Sequence, residues 1–184
     1  YEKMGMHGME VADVVFDNVR VPYENTTGGE AMRGKGFNIL LGSTQIGKLS
    51  LCGHCVGMGQ AALEAAVKYS KERVQRGRPI SHFQTIQWLI GEMASEVMAM
   101  RQMVLTTAFR ASEGKDLAAD AARTRLFVSQ AVHRVASNAM QVMGAFRYIN
   151  EFPLERIFRD AKLTEIYEGV NEIQRLIAAS DLLR

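Results

Sequence analysis

The segment Tyr167-Glu168-Gly169 puts a carboxylate where it could serve as a general base. It lies between an apolar segment and a predicted helix start, and the glycine lets the chain turn there. Burial away from cations moves the pKa of a carboxylate toward the working range of a general base. The alternative is a solvated glutamate near a helix N-terminus, stabilised by the helix dipole. Spacing alone leaves both roles open.

The motif Cys52-Gly53-His54-Cys55 has the spacing of a redox-active thiol pair. Such a pair needs a preceding strand and a setting that lowers the pKa of one thiol. Here the motif falls inside a long predicted helix, which favours two small core residues one turn apart over a thiol oxidoreductase. A structural zinc site needs four ligands and no second cluster follows, so no metal site is predicted.

Two further segments could bind a ligand. Three arginines, Arg73, Arg76 and Arg78, surround a Gly-Pro turn. They predict either an anion cradle, since guanidinium pairs well with phosphate, or an exposed basic loop between helices. The run 141–145 combines small residues with Gln141 at a predicted helix end, which could admit a ligand or form a C-cap.

The elements that carry these residues follow from the hydrophobic period, which changes from two to about 3.6 near Phe37. Residues 9–23 predict one bulged strand or two short strands at the edge of a sheet. The predicted helices cover about 35–75, then run from Ser81 to Gly114, from Asp116 to Gly144, from Pro153 to Leu163, and onward from Gly169. Long helices with short connections predict a mainly α fold, an antiparallel helical bundle with a short N-terminal β segment.

Stripes at steps of three and four predict the buried helix faces. The second helix carries Phe83, Ile86, Ile90, Met93, Val97, Met100 and Val104. The third carries Ala121, Arg125, Val128, Val132, Val135, Ala139 and Val142. The last carries Val170, Ile173, Leu176, Ile177 and Leu183.

Composition limits the class of protein. The chain has 184 residues, of which 47% are hydrophobic and 23% charged, and this balance is typical of a globular domain. Basic residues are scattered and apolar runs are short, which argues against nucleic-acid binding and against a membrane span. Two cysteines give no disulfide framework and favour a reducing compartment. Since the first residue is Tyr1, we expect a longer gene product.

Taken in order, several segments resemble the acyl-CoA dehydrogenase family over essentially the whole chain. They are Lys3-Met4-Gly5-Met6 with Val15 to Pro22, Gly34 to Phe37, Glu72 to Ile80 with Phe83 to Gln87, Pro153 to Arg156, Arg159 to Lys162, Ile166 to Gly169, and Ile173 to Ile177. The resemblance implies that residues 1–30 end a middle β-domain and that 31–184 form a C-terminal bundle resembling a four-helix bundle. It also implies further domains upstream.

The resemblance implies a flavin-dependent α,β-dehydrogenation of an acyl-CoA thioester. A carboxylate removes a proton from the carbon next to the thioester carbonyl, the neighbouring carbon gives a hydride to FAD, and electrons pass to an electron-transfer flavoprotein. In most members the base is the glutamate of Tyr-Glu-Gly, here Glu168, whose backbone amide helps to polarise the carbonyl. A minority carry the base at a position that we align with Gly47, which cannot serve.

The same resemblance implies the ligand contacts. The residues for FAD, some of them toward the FAD of a neighbouring subunit, are Arg73, Gln84, Gln141, Met143, Gly144, Val170 and Glu172. The residues for the acyl-CoA substrate are Gln45, Lys48, Tyr167 and Gly169. Sites shared between subunits imply a homodimer or homotetramer, in a bacterial cytoplasm or a mitochondrial matrix. We expect this chain by itself to bind FAD weakly and to be inactive.

Some positions depart from the family pattern. Gln45 and Lys48 stand where Asp and Arg are usual, and Val170 replaces a threonine. Arg76 replaces an aromatic residue, and Ala145 and Arg147 replace glycines. These changes leave open an unusual acyl group, a non-identical partner subunit, or a non-catalytic subunit that acts as an assembly or partner-binding module. A family oxidase that reduces oxygen is a further alternative.

Overall fold

A computed structural model describes residues 1–145 and 148–183. Within these residues the chain forms five α-helices: α1 Gly36–Glu72, α2 Gln84–Ser112, α3 Ala118–Met143, α4 Pro153–Leu163 and α5 Asn171–Leu182. Two short strands, β1 Val74–Gln75 and β2 Arg78–Pro79, lie between α1 and α2. Single 3-10 turns cover Tyr23–Asn25, Glu30–Met32 and Ile80–His82. The fold is mainly helical, as predicted.

Helix α3 is the centre of the bundle and packs against α1, α2, α4 and α5. Its predicted stripe is confirmed, because every member of it is buried. The stripe is rich in alanine and valine, whose short side chains let neighbouring helices approach closely. From α1, Leu51, Cys52, Cys55, Met58, Ala62 and Ala66 complete this core, and from α2, Met93, Val97 and Met100.

The helix ends agree with the signals in the sequence. Helix α2 is followed by Gly114 at φ 69°, and α3 ends at Gly144 at φ 62°. Both adopt the left-handed conformation that glycine accepts without a Cβ penalty. The N-cap of α3 is Leu117, one residue after the predicted Asp116, but the Asp116 carboxylate still accepts a hydrogen bond from the first helical N–H, that of Ala118, at 3.0 Å. Pro153 opens α4, where no intrahelical donor is needed.

The arginine-rich segment forms an exposed hairpin between α1 and α2. Strands β1 and β2 pair antiparallel, Val74 with Pro79 and Gln75 with Arg78. Arg76 and Gly77 turn the chain with φ of 50° and 77°. Two positive φ values in succession define the tight turn that joins two strands directly.

The predicted strand over 9–23 is wrong, since no strand forms there and the segment is exposed. Val14, Val15 and Phe16 are 76%, 83% and 77% exposed. A strand needs a hydrogen-bonded neighbour, and none of the described residues supplies one. The alternating pattern therefore indicates a segment that favours strand pairing, but the described residues provide no neighbouring strand for it.

The predicted buried face of α5 is also wrong. Ile173, Leu176 and Leu183 are 47%, 66% and 86% exposed, whereas Asn171 and Gln174 are 3% and 0% exposed. Periodicity locates an apolar stripe but not the surface that the helix meets. Here the helix turns its amides inward because α3 and the preceding turn offer them hydrogen-bond partners. Among the described residues no helix is both long and apolar enough to cross a bilayer.

Candidate functional site

The turn between α4 and α5 carries the predicted base. Glu168 has φ 57° and Gly169 has φ 90°, so two successive residues occupy left-handed conformations. Such a φ is uncommon for any residue other than glycine, and it persists only where surrounding contacts hold it. The turn is closed by the Asn171 N–H, which donates to the Glu165 carbonyl at 3.0 Å. A Cβ at Gly169 would lie 3.1 Å from Gln174 Nε2, so the backbone is tightly approached there.

The turn directs the Glu168 carboxylate onto α1. A Cβ built on Gly47 would lie 3.2 Å from Glu168 Oε2, which shows how closely the carboxylate approaches that helix. The two positions at which the family resemblance allows a base are therefore neighbours. Glu168 is exposed, so the described residues do not form the dry pocket expected from the sequence.

A buried arginine holds the backbone of this turn. Arg125 of α3 has no exposed surface, and its guanidinium donates to the carbonyls of Tyr167 and Gly169 and, at 2.9 Å, of Glu168. A longer contact of 3.3 Å joins it to the Thr164 carbonyl. Sequence reasoning placed Arg125 only in the buried stripe of α3 and missed this role. The available signal was a charged residue at a position where the helix period demands an apolar one.

Two polar pairs secure the same region. Asn171 and Ser129 exchange hydrogen bonds at 3.0 Å and 3.2 Å, and both are buried. Gln174 Nε2 donates to the Gly169 carbonyl at 3.0 Å, which gives that carbonyl a second donor besides Arg125. Helix α5 is thus attached to α3 and to the turn by amides rather than by its apolar residues.

The predicted substrate residues on α1 lie on the side of the bundle that carries the Glu168 turn. Gln45 and Lys48 are half-buried and one helical turn apart. Burial lowers the pKa of Lys48, the nearby Arg125 charge lowers it further, and the Glu168 carboxylate opposes both effects. Lys48, Arg125 and Glu168 therefore lie within electrostatic reach of one another. Tyr167 is half-buried beside them.

The two thiols belong to the core beneath this turn. Cys52 and Cys55 are 1% and 0% exposed. Burial raises the pKa of the Cys52 thiol to about 12 and that of the Cys55 thiol to about 11. A redox pair needs an accessible thiol with a lowered pKa, so the structure favours packing over thiol chemistry. Among the described residues, no three side chains of His, Cys, Asp or Glu gather as metal ligands would.

A second group of predicted residues lies at the other end of α3. Gln141 and Gly144 border a cavity of about 790 Å³, together with Phe158 and Arg159. Met143 is buried and lines a smaller cleft with Tyr69 and Glu72, the last turn of α1. Arg73 follows directly and is half-buried, whereas Gln84 begins α2 and is exposed.

The structure therefore divides the predicted ligand residues into two groups. Met143 lies 18 positions after Arg125 in α3, which at 1.5 Å per residue is about 27 Å along the helix. Val170 and Glu172 belong to the Glu168 group, because they begin α5. Glu172 is exposed and pairs with Arg175 at 3.2 Å. Arg147 lies outside the described residues.

Two features of the described residues are compatible with a bound nucleotide such as FAD. Gln141 and Gly144 present a polar side chain and an exposed left-handed glycine to a cavity large enough for a flat ring system. Val170 presents the N-terminus of α5, whose backbone donors favour electron-rich groups.

Comparison with known proteins agrees with this fold. The family model described as "Acyl-CoA dehydrogenase, C-terminal domain" matches residues 34–183. A probable acyl-CoA dehydrogenase of Bacillus subtilis is 42% identical over 184 residues, which cover 100% of this chain and 48% of that protein. The chain belongs to the acyl-CoA dehydrogenase family and contains its C-terminal domain.

Solved structures give the same assignment. Butyryl-CoA dehydrogenase from Megasphaera elsdenii superposes with a TM-score of 0.96 at 39% identity, over 100% of this chain and 47% of that one. A chain in the structure described as the electron transferring flavoprotein of Acidaminococcus fermentans superposes with a TM-score of 0.95 at 38% identity. The match covers 100% of this chain and 48% of that one. The chain spans about half the length of the relatives that it matches.

Proposed function

We propose that this chain supplies the catalytic base of an FAD-dependent acyl-CoA dehydrogenase, and that Glu168 is that base. The observation that carries the proposal is the left-handed turn at Glu168, which directs the carboxylate to within contact distance of α1 at Gly47. Because residue 47 is a glycine, the carboxylate approaches α1 closely there. Family membership supports the reaction class.

In the proposed reaction the Glu168 carboxylate takes the proton from the carbon next to the thioester carbonyl. The electron pair of that C–H bond becomes the second bond between the two carbons as a hydride leaves the neighbouring one. Within the described residues no acceptor pairs with the Glu168 N–H, so this donor is available to the thioester carbonyl. A fixed donor aimed at an oxygen that gains charge stabilises the transition state. The base and this donor belong to the same residue.

FAD, when bound, supplies the acceptor for the hydride. Val170 and Glu172, at the start of α5, would hold the flavin near Glu168. Arg73, Gln84, Gln141, Met143 and Gly144 would hold the FAD of a neighbouring subunit. Met143 lies about 27 Å along α3 from Arg125, the residue that contacts the Glu168 turn. Gln45, Lys48, Tyr167 and Gly169 would border the acyl-CoA.

Partners follow from the same assignment. We propose an electron-transfer flavoprotein as electron acceptor and a homodimer or homotetramer as the working assembly. The similarity to a chain in the structure of the electron transferring flavoprotein of Acidaminococcus fermentans supports this electron acceptor. The exposed apolar residues Ile173, Leu176 and Leu182 of α5 support the second, because a surface of this kind favours burial against another polypeptide. A bacterial cytoplasm or mitochondrial matrix is the proposed location.

The test uses the complete gene product mixed anaerobically with a panel of acyl-CoA thioesters, while the absorbance of oxidised flavin is followed. We expect rapid bleaching by the wild type and a loss of at least about a thousandfold in Glu168→Gln, which keeps the shape and removes the base. Glu165→Gln is the matched control. It removes a half-buried carboxylate three residues away whose partner among the described residues is Lys162, and it should bleach like the wild type.

Each other outcome has a defined meaning. Equal bleaching by wild type and Glu168→Gln would show that the base lies elsewhere. A complete protein that carries flavin but responds to no thioester, or that carries none, would favour the non-catalytic subunit. Oxygen consumption during turnover in air would identify an oxidase.

A further inference from the structure

Arg125 is a full positive charge in the interior of the bundle. It is 0% exposed and lies on the α3 stripe between Ala121 and Val128. Burying a guanidinium without compensation is far more costly than burying an aliphatic side chain. A residue of this type is tolerated there only if most of its donors are satisfied. Both terminal nitrogens of Arg125 are paired, whereas its Nε has no partner among the described residues. Its partners therefore indicate what it does.

Those partners are all backbone carbonyls of one short segment. The guanidinium donates to Thr164, Tyr167, Glu168 and Gly169, and it forms no ion pair with any carboxylate among the described residues. The segment follows the C-terminus of α4, where the helix dipole concentrates negative charge and favours a cation. The compensation of Arg125 thus depends on the conformation of this backbone.

The backbone of this segment adopts a left-handed conformation at Glu168, which is unfavourable for a residue with a side chain. Glu168 and Gly169 have φ of 57° and 90°, and Arg125 binds the carbonyls immediately before, at and after Glu168. Three carbonyls aimed at one planar group leave the peptide planes on either side of Glu168 little freedom. Arg125 also interacts electrostatically with the Glu168 side chain. Without this cation the left-handed φ at Glu168 loses three of the contacts that hold the turn.

We propose that Arg125 is a positioning residue for proton abstraction, which holds the Tyr167–Gly169 backbone so that the Glu168 carboxylate is aimed at the acyl chain beside Gly47. This inference rests on the proposed function. It adds that the carboxylate and the Glu168 N–H are placed together, because one guanidinium fixes the peptide planes on both sides of that residue.

The first variant is Arg125→Lys in the complete, flavin-loaded protein. An ammonium keeps the charge but has three donors on one atom, and it cannot reproduce the planar fork that reaches four carbonyls. We expect the rate of flavin reduction, per bound flavin, to fall about 10-fold to 100-fold with KM changed by less than about 3-fold, as expected when a reacting group is misplaced.

The matched control is Arg134→Lys on the same helix. Arg134 is exposed and pairs with Glu96 at 2.5 Å, so its replacement should leave the rate and KM unchanged. A second, milder variant is Gln174→Met, which removes only the other donor to the Gly169 carbonyl. It should lower the same rate by about 3-fold to 10-fold. Expressing rates per bound flavin removes any contribution from unfolded protein.

A double variant separates positioning from general stability. If Arg125 acts through Glu168, then Arg125→Lys should cost much less rate once Glu168→Gln has removed the base, because only the backbone N–H of residue 168 is left to misplace. Additive losses, or wild-type rates in both Arg125→Lys and Gln174→Met, would overturn the positioning role. Wild-type rates in Glu168→Gln would instead overturn the proposed function, so the two failures are distinguishable.

Discussion

Replacing Gly47 by alanine should separate stability from activity. The position lies inside α1, where alanine is favoured over glycine by about 1 kcal/mol. The added Cβ would stand 3.2 Å from Glu168 Oε2, closer than an ordinary van der Waals contact. The carboxylate must therefore retreat by a few tenths of an ångström, while the helix itself gains stability.

The expected size of the rate effect follows from that retreat. A misplacement of 1 Å costs about 100-fold, so a few tenths should lower the rate of flavin reduction about 3-fold to 10-fold. The free energy of unfolding should be unchanged or higher by up to about 1 kcal/mol. Anaerobic stopped-flow bleaching with the best thioester and urea unfolding of the same preparations measure the two quantities.

Gly57→Ala provides the control, because it makes the same change on the same helix with no atom within 4 Å of the new Cβ. It should gain helix stability and keep the wild-type rate. If Gly47→Ala also reduces flavin at the wild-type rate, the carboxylate does not work at this contact and the reasoning is refuted. A loss shared equally by both variants would trace to α1 as a whole and would refute it too.

The remaining predictions concern the core. Native Cys52 and Cys55 should react with iodoacetamide at pH 8 at least about 100-fold more slowly than in denaturant, and one fast native thiol would contradict the packing role. Their pKa values are about 12 and about 11 against an ordinary 9.0, so the folded protein keeps protons that the unfolded chain releases. The thiols should therefore contribute fully to the free energy of unfolding below pH 9, and this contribution should be lost as the pH rises toward 11 to 12. In Cys55→Ala the decrease in the free energy of unfolding over this pH range should be smaller. Thr107 and Thr124 share a buried hydrogen bond of 2.7 Å. Thr107→Val should lower the free energy of unfolding in urea by about 1–3 kcal/mol, because it leaves the buried Thr124 hydroxyl without a hydrogen-bond partner. The double variant Thr107→Val, Thr124→Val should recover part of that loss of stability.

Most helix boundaries could be predicted because their signals are local. Pro153 at a first turn, and Gly114 and Gly144 in left-handed conformations after the last turn, act through their own backbone preferences. The stripes of α2 and α3 were predictable for a related reason, since two central helices must bury whichever face is apolar.

The exposed stripe of α5 and the unpaired segment 9–23 could not be predicted in the same way. Both are apolar patterns that need a surface to cover them, and the pattern does not say whether this chain provides it. Asn171 and Gln174 are buried instead, because Ser129 and the Gly169 carbonyl meet their amides. That pairing depends on how α5 crosses the rest of the bundle.

The amino-acid sequence by itself determined the helical elements and the membership of the two thiols in the core, whereas Glu168 became the candidate base only through the family resemblance. The first two depend on residue type and on near neighbours along the chain. Only the tertiary structure decided that Glu168 faces Gly47 from 121 residues away and that Arg125 binds the carbonyls around it. Contacts between distant segments arise from packing, where one guanidinium inside an apolar stripe must find its partners wherever the fold brings them.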